Sequence, residues 1–309
     1  MTDITLRVLL RLYPRAWRAR YGDELTGLIL QSSARRSPSL RLLTNVAIAG
    51  LRERLRALGL LGNDLTPRDR AQSGIVLVMW SWMLFVLGGI GVAKAAEHWK
   101  TAVPVASVRL PEVAFTSMIF ADVIGSVLVV AGVALCGRTF VPLLRTGGWH
   151  HVRRPIYRAS AISGLTAISL LALSIWANHL TFTQRNGHNL AYGAAVLSWA
   201  VLFSGCLFGW AAAATSIVRH LDLKPHLLRL ETRIVVGVTA TMAATTVASF
   251  VWWVSIAHSA PWFFAGTAPE TAGIVAPINL VGPVAFMLTA TLLAFVGARR
   301  SLRNTLLVV

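Results

Sequence analysis

Charge is scarce in this chain of 309 residues: Asp, Glu, Lys and Arg together make up 13% of it, roughly half the share of an average soluble domain. That shortage stands beside 55% hydrophobic residues and a mean hydropathy of +0.64, and the two together exclude a soluble globular protein and a disordered chain. Cysteine is nearly absent. Cys136 and Cys206 both fall in apolar stretches, which excludes a disulfide scaffold and a metal cage and leaves them as packing residues. No P-loop, G-x-S-x-G, H-E-x-x-H or D-x-x-x-D pattern occurs, so no catalytic residue and no cofactor is expected. Gly88-Gly89-x-Gly91 lies within an apolar run, where it cannot cradle a phosphate. No cleavable signal peptide is expected either, because the N-terminal stretch is rich in Arg and lacks an adequate apolar run.

What the chain does have is a set of apolar blocks, each long enough to cross a bilayer core of about 30 Å. Six spans are expected near 74–96, 113–137, 156–179, 190–217, 234–257 and 276–298, making an all-α polytopic membrane protein. Acidic residues are few, 12 against 29 Lys and Arg, for a formal net charge of +17. That excess lies between the spans and not on one soluble face, so it argues for lipid and not for nucleic acid. Residues 1–73 hold thirteen Arg, the linker 138–158 five, the linker 218–233 four basic residues including Lys224, and the tail Arg299, Arg300 and Arg303. The alternating linkers share only Lys94, Lys100, Arg109 and Arg185. By the positive-inside bias both termini are expected in the cytoplasm. The outer linkers are too short for a folded domain and carry Trp99, Trp262, Phe263 and Phe264, aromatics of interfacial type.

The first 73 residues form an amphipathic prefix. Thr2-Asp3 can cap a short helix bearing Ile4, Val8, Leu9 and Leu12. Pro14 fits a helix start, with Trp17 and Tyr21 four residues apart on one face among Arg15, Arg18 and Arg20. Gly22 is expected to break that helix, with Asp23-Glu24 opening a second one that carries Leu25, Leu28 and Ile29. A third helix is expected from Leu40 to Leu58, with Leu43, Ala47, Leu51 and Leu55 on its apolar side. Thr66-Pro67-Arg68-Asp69 reads as a capped start leading into the first span. The prefix can lie on the inner leaflet with its Arg on lipid phosphate, or dock a cytosolic protein.

The run Leu12-Tyr13-Pro14-Arg15-Ala16-Trp17-Arg18-Ala19-Arg20-Tyr21-Gly22-Asp23-Glu24-Leu25 resembles the Tyr-Pro-x-x-Trp-Arg-x-Arg-Tyr-Gly-x-Glu prefix that opens many actinobacterial multi-span membrane proteins. A related prefix opens certain permeases of the macrolide-exporter type. The resemblance covers about the first sixty residues, the scale of an appended module and not of a whole domain. It implies a transport-related integral membrane component, and neighbouring regulators of the PadR type are known beside such proteins. Unlike the exporter permeases, this chain has only the linker 97–112 after its first span.

Within the spans, Asp122 is the one acidic residue expected, near the midplane of the second. A carboxylate there costs at least about 2.5 kcal/mol unless it faces protein or water, which makes it a candidate proton or cation group as well as a packing one. Its expected partners are Asn279 and the stripe Gly237, Thr241, Thr245 and Ser249 on the fifth span. Gly205-x-x-x-Gly209-x-x-x-Ala213 makes a second small-residue stripe, suited to close helix approach. Pro277, Asn279, Gly282 and Pro283 predict a broken or kinked start to the sixth span, so Asp122 with Asn279 is the candidate solute or ion site. His98, His179 and His258 close the outer ends of alternate spans, and no ligand pairing makes them a metal site.

The expected organisation is thus a prefix over 1–73, a six-helix domain over 74–298 and a tail over 299–309. The expected role is a permease-like plasma-membrane component, with no nucleotide site of its own and so in need of a cytosolic ATPase. The alternative is a membrane anchor that holds a cytosolic regulator through Trp17, Tyr21 and the neighbouring Arg residues.

Overall fold

The computed structural model describes residues 9–33, 40–57, 66–97, 99–103, 109–145, 149–181, 184–185, 189–221, 224–267 and 275–307. Among them the chain is all helix. Helices α1 (Arg15–Ser33) and α2 (Leu40–Ala57) form the prefix. The long helices are α3 (Pro67–Ala95), α4 (Arg109–Arg145), α5 (Trp149–Asn178), α6 (Leu190–His220), α7 (Pro225–Ser259) and α8 (Val281–Thr305). These six are long and apolar enough to cross a membrane, α8 together with the 3-10 turn Pro277–Leu280 that precedes it. The chain is therefore a multi-pass integral membrane protein in contact with the bilayer. The helices alternate in direction, and one end of the bundle gathers Arg68, Arg138, Arg153, Arg219, Arg229, Arg233 and Arg299; we call it the basic end.

Local chemistry sets the helix starts. At α3 the Thr66 hydroxyl accepts from the Asp69 amide while the Asp69 carboxylate accepts from the Thr66 amide, a capping box with Pro67 in the first turn. Helix α6 is capped by Asn189, whose side chain accepts from the Tyr192 amide at 3.1 Å. Before α8, the run around Asn279 winds as a 3-10 turn, which places Pro283 in the first α-helical turn, where its missing N–H costs nothing.

Close approach at small residues holds the bundle. Helices α3 and α8 run antiparallel in backbone contact: a Cβ added at Gly74 would lie 2.5 Å from the Gly297 carbonyl oxygen, and one at Gly88 2.7 Å from that of Pro283. Helices α4 and α7 meet along the predicted stripe. Gly237 faces Leu128, Thr241 faces Gly125, Thr245 donates to Asp122, and the Ser249 hydroxyl donates to the Met118 sulfur at 3.1 Å. In the α5–α6 hairpin, Gly209 sits against Ala159, with Ser163 Oγ and Cys206 Sγ 3.1 Å apart. That hairpin joins the bundle through α6, where Trp80 Nε1 donates to Thr215 at 2.9 Å and Gln72 to the Leu221 carbonyl at 3.2 Å.

Several expectations change. Helix α1 runs unbroken through Gly22, which is buried on its inner face; a helix-interior glycine costs about 1 kcal/mol, less than continuous helix and packing return. Within α2 the buried residues among the described side chains are Val46 and Gly50, with Leu42 beside them, because Tyr13 packs on Gly50 and donates its hydroxyl to the Val46 carbonyl at 3.0 Å; the side chains of Leu40, Leu51 and Leu55 lie outside the described ones. Trp99 and Phe263 are buried in the core, since one-turn helices (Trp99–Ala102 and Pro261–Phe264) fold back over the end opposite the basic one; Trp262 stays at the surface. Helix α7 begins nine residues before the expected span, at Pro225, and so takes Glu231 into the bundle as a second acid. Thr2, Asp3, Ile4, Val8, Leu58 and His98 lie outside the described residues.

Gly74→Ala forces α3 from α8 and should cost about 1–3 kcal/mol. The melting temperature of the detergent-solubilised protein should fall accordingly, whereas Gly89→Ala, with nothing within 4 Å of its added Cβ, should leave it unchanged. Burial and the nearby Glu53 carboxylate hold the Tyr13 phenol above its ordinary range. The stability it contributes is present below the usual phenol pKa of about 10 and is lost as pH rises beyond it. Alkaline pH should therefore expose the prefix to protease, and Tyr13→Phe should remove that pH step.

Candidate functional site

Toward the basic end, α3, α4, α6 and α7 enclose a cavity of about 450 Å3, within the range of sites for small organic ligands. Its wall is apolar: Ile75, Val78 and Met79 from α3, Val129 and Val133 from α4, Ala214 and Ile217 from α6, Val235 and Val238 from α7. Trp82, Phe140 and Trp210 add three aromatic rings. The one charged side chain on the wall is Glu231, in a residue only 4% exposed. Its Oε1 accepts from the Cys136 thiol at 3.4 Å, a weak donor, and it has no Lys or Arg partner among the described residues. Gly132 stands opposite: an added Cβ there would lie 3.4 Å from Glu231 Oε2, in van der Waals contact with the carboxylate.

Why Glu231 points inward follows from the start of α7. Lys224-Pro225 sets the first turn, and the helical period then places Leu228, Glu231, Val235 and Val238 on the buried face and His226, Arg229 and Arg233 on the exposed one. The four basic residues of 218–233 disguised this segment as a linker. The spacing Leu228-x-x-Glu231-x-x-x-Val235 was the signal available in the sequence.

Asp122 lies on the same α4–α7 seam. Its Oδ1 accepts from the Thr245 hydroxyl at 3.0 Å, and the side chain is half-buried between the two helices. Asn279 is exposed on the 3-10 turn. That turn is level with Trp253, whose Nε1 donates to the Pro277 carbonyl at 2.7 Å. Thr245 is eight residues away along α7, about 12 Å at 1.5 Å per residue, so Asp122 and Asn279 are not brought together. Glu231 and Asp122 are themselves separated: their partners Cys136 and Thr245 stand fourteen residues from Asp122 and Glu231 on their respective helices, about 21 Å apart in level.

In the prefix, Trp17 stacks on Tyr13 with ring centroids 4.1 Å apart and packs against the small cluster of Tyr13, Ile29 and Val46. Tyr21 stands 5.4 Å from Trp17 and is exposed, as are Arg15 and Arg20, while Arg18 is half-buried. Arg54 donates to the Arg11 carbonyl and ties α2 to the turn before α1. His179 and His258 are exposed, and no group of three His, Cys, Asp or Glu side chains able to hold a metal occurs among the described residues. Comparison with protein-family models, curated proteins and solved structures finds no match.

Thr245→Val deletes the donor to Asp122 and should cost about 0.6 kcal/mol, the average for such bonds between membrane helices. A melting-temperature drop is expected for Thr245→Val and none for Thr245→Ser, which keeps the hydroxyl.

Proposed function

We propose that the chain is a transport-related, permease-like component of the plasma membrane whose solute site is the cavity at Glu231. One observation carries this: a ligand-sized space inside a membrane bundle, apolar except for a buried carboxyl with no cationic partner among the described residues. Ordinary helix packing fills such a space, and a buried acid met only by a thiol is costly to keep, so a ligand accounts for both. The gathering of Arg at one end supports cytoplasmic termini and contact with anionic inner-leaflet lipids. The prefix resemblance points the same way. Lacking a nucleotide-binding motif, the chain would draw on a separate cytosolic ATPase.

The second reading, an anchor holding a cytosolic regulator, is favoured by the exposed Tyr21, Arg15 and Arg20 on a prefix that packs its own small core. The two readings separate on mutants. Cells making the chain should differ from cells lacking it in steady-state accumulation of some member of a panel of cationic, neutral and anionic amphiphilic dyes. Glu231→Gln should abolish that difference and leave co-purifying proteins unchanged; Trp17→Ala with Tyr21→Ala should do the reverse if the chain is an anchor. Asp122→Asn should leave accumulation intact if the cavity is the site, and should abolish it if Asp122 is the ion group. Equal accumulation of every dye with and without the chain would rule out the transport reading.

A further inference from the structure

The shape and charge of the cavity define the solute more narrowly. We infer that it takes an organic monocation with a bulky apolar body, which enters sideways from the bilayer between α4 and α6. This rests on the cavity being a solute site.

Three observations converge. The first is charge: Glu231 is the one acidic or basic side chain on the wall, its only hydrogen-bond partner among the described residues is the weakly donating Cys136 thiol, and Gly132 puts no side chain beside Oε2. A carboxylate kept out of water is compensated by one positive charge, whereas an anionic or multiply charged guest would stand uncompensated. The second is the wall. Trp82, Phe140 and Trp210 are aromatic rings of the type that attracts cations, and Met79, Met83 and Cys136 supply polarisable, adaptable packing. Besides Glu231 and Cys136 the only hydrogen-bonding groups on the wall are the indole N–H groups of Trp82 and Trp210, the latter donating to Ser163, so the guest is recognised chiefly by charge and bulk.

The third is the route. The four helices stand in the order α4, α7, α3, α6, each packed on the next, whereas α4 and α6 scarcely touch. The cavity is thus open on that side, and Trp210 of α6 is both on its wall and exposed. In a membrane-spanning protein that side faces lipid. Glu231 lies two turns into α7, among Arg229 and Arg233, near the level where hydrocarbon gives way to headgroups. An amphiphilic cation lying in that leaflet has its charge at the level of the carboxylate and its apolar body at the level of the wall.

The test uses purified full-length protein in nanodiscs and two ions of matched shape and opposite charge, tetraphenylphosphonium and tetraphenylborate, in equilibrium binding at one fixed pH. Saturable binding of the phosphonium is expected, weakened about tenfold or more by Glu231→Gln, with Glu231→Asp closer to the parent and no saturable binding of the borate. A second measurement needs no Glu231 variant. In a Cys206→Ser background, alkylation of Cys136 by N-ethylmaleimide should be slowed by the phosphonium and not by the borate. Equal binding of both ions, unchanged by Glu231→Gln, would overturn the monocation inference while leaving a solute-binding cavity and the transport reading in place. Absence of both phosphonium binding and Cys136 protection would overturn the inference whatever the fate of the Gln variant. The dye-accumulation difference would then decide the transport reading separately.

Discussion

Inside a bilayer an apolar side chain gains little by leaving lipid for protein, so helices are held by the van der Waals contact that only close approach provides. In this protein that constraint falls on a few positions without side chains. Gly74 and Gly88 on α3 meet the backbone of α8 at Gly297 and Pro283, Gly91 takes the Pro283 ring, and between α4 and α7 Gly125 takes the Thr241 hydroxyl and Gly237 the Leu128 side chain. Where the backbones touch, hydroxyls find partners across the seam, as in the Thr232, Ser301 and Thr305 cluster and the Thr246–Thr291 pair. The remaining geometry is what those contacts leave over.

What they leave is uneven. Helices α3, α7 and α8 form the tight centre, and α4 lies along α7 with much of its other face turned outward: Phe120, Val123, Val127, Val130 and Val133 are all exposed. The α5–α6 hairpin leans chiefly on α3 and barely touches α4. Two helices attached to a common centre but barely to each other leave a gap, and the cavity is that gap. Both membrane acids lie on the one seam shared by α4 and α7, yet in opposite circumstances. Asp122 is met by a hydroxyl at a tight crossing, and Glu231 faces open space at a loose one. The same chemical group therefore serves as a joint at one level and as a candidate binding group at the other.

The prefix is organised by different physics, because its helices are not apolar spans and bury only one side. Its core is small, Tyr13, Ile29 and Val46, and is organised by one buried hydroxyl bond and an aromatic stack. Trp17 is committed to that packing, which leaves Tyr21 and the flanking Arg as the outward chemistry.

The span count, their alternation, the capping box at Thr66 and the small-residue stripes were legible in the sequence, because each is set by local composition or by the helical period. Gly237, Thr241, Thr245 and Ser249 could be read as one face without knowing which helix they would meet. Charge counting misplaced Glu231, since a basic-rich stretch looks like a linker until the helix face it winds onto is known. Tertiary structure alone decided that this face turns inward, that Gly132 stands opposite, that Trp99 and Phe263 fold back into the core, and that Asp122 meets Thr245 and not Asn279. A sequence specifies helices and their faces through interactions a few residues long. Which faces are pressed together, and where they fail to close, depends on contacts between residues far apart in the chain.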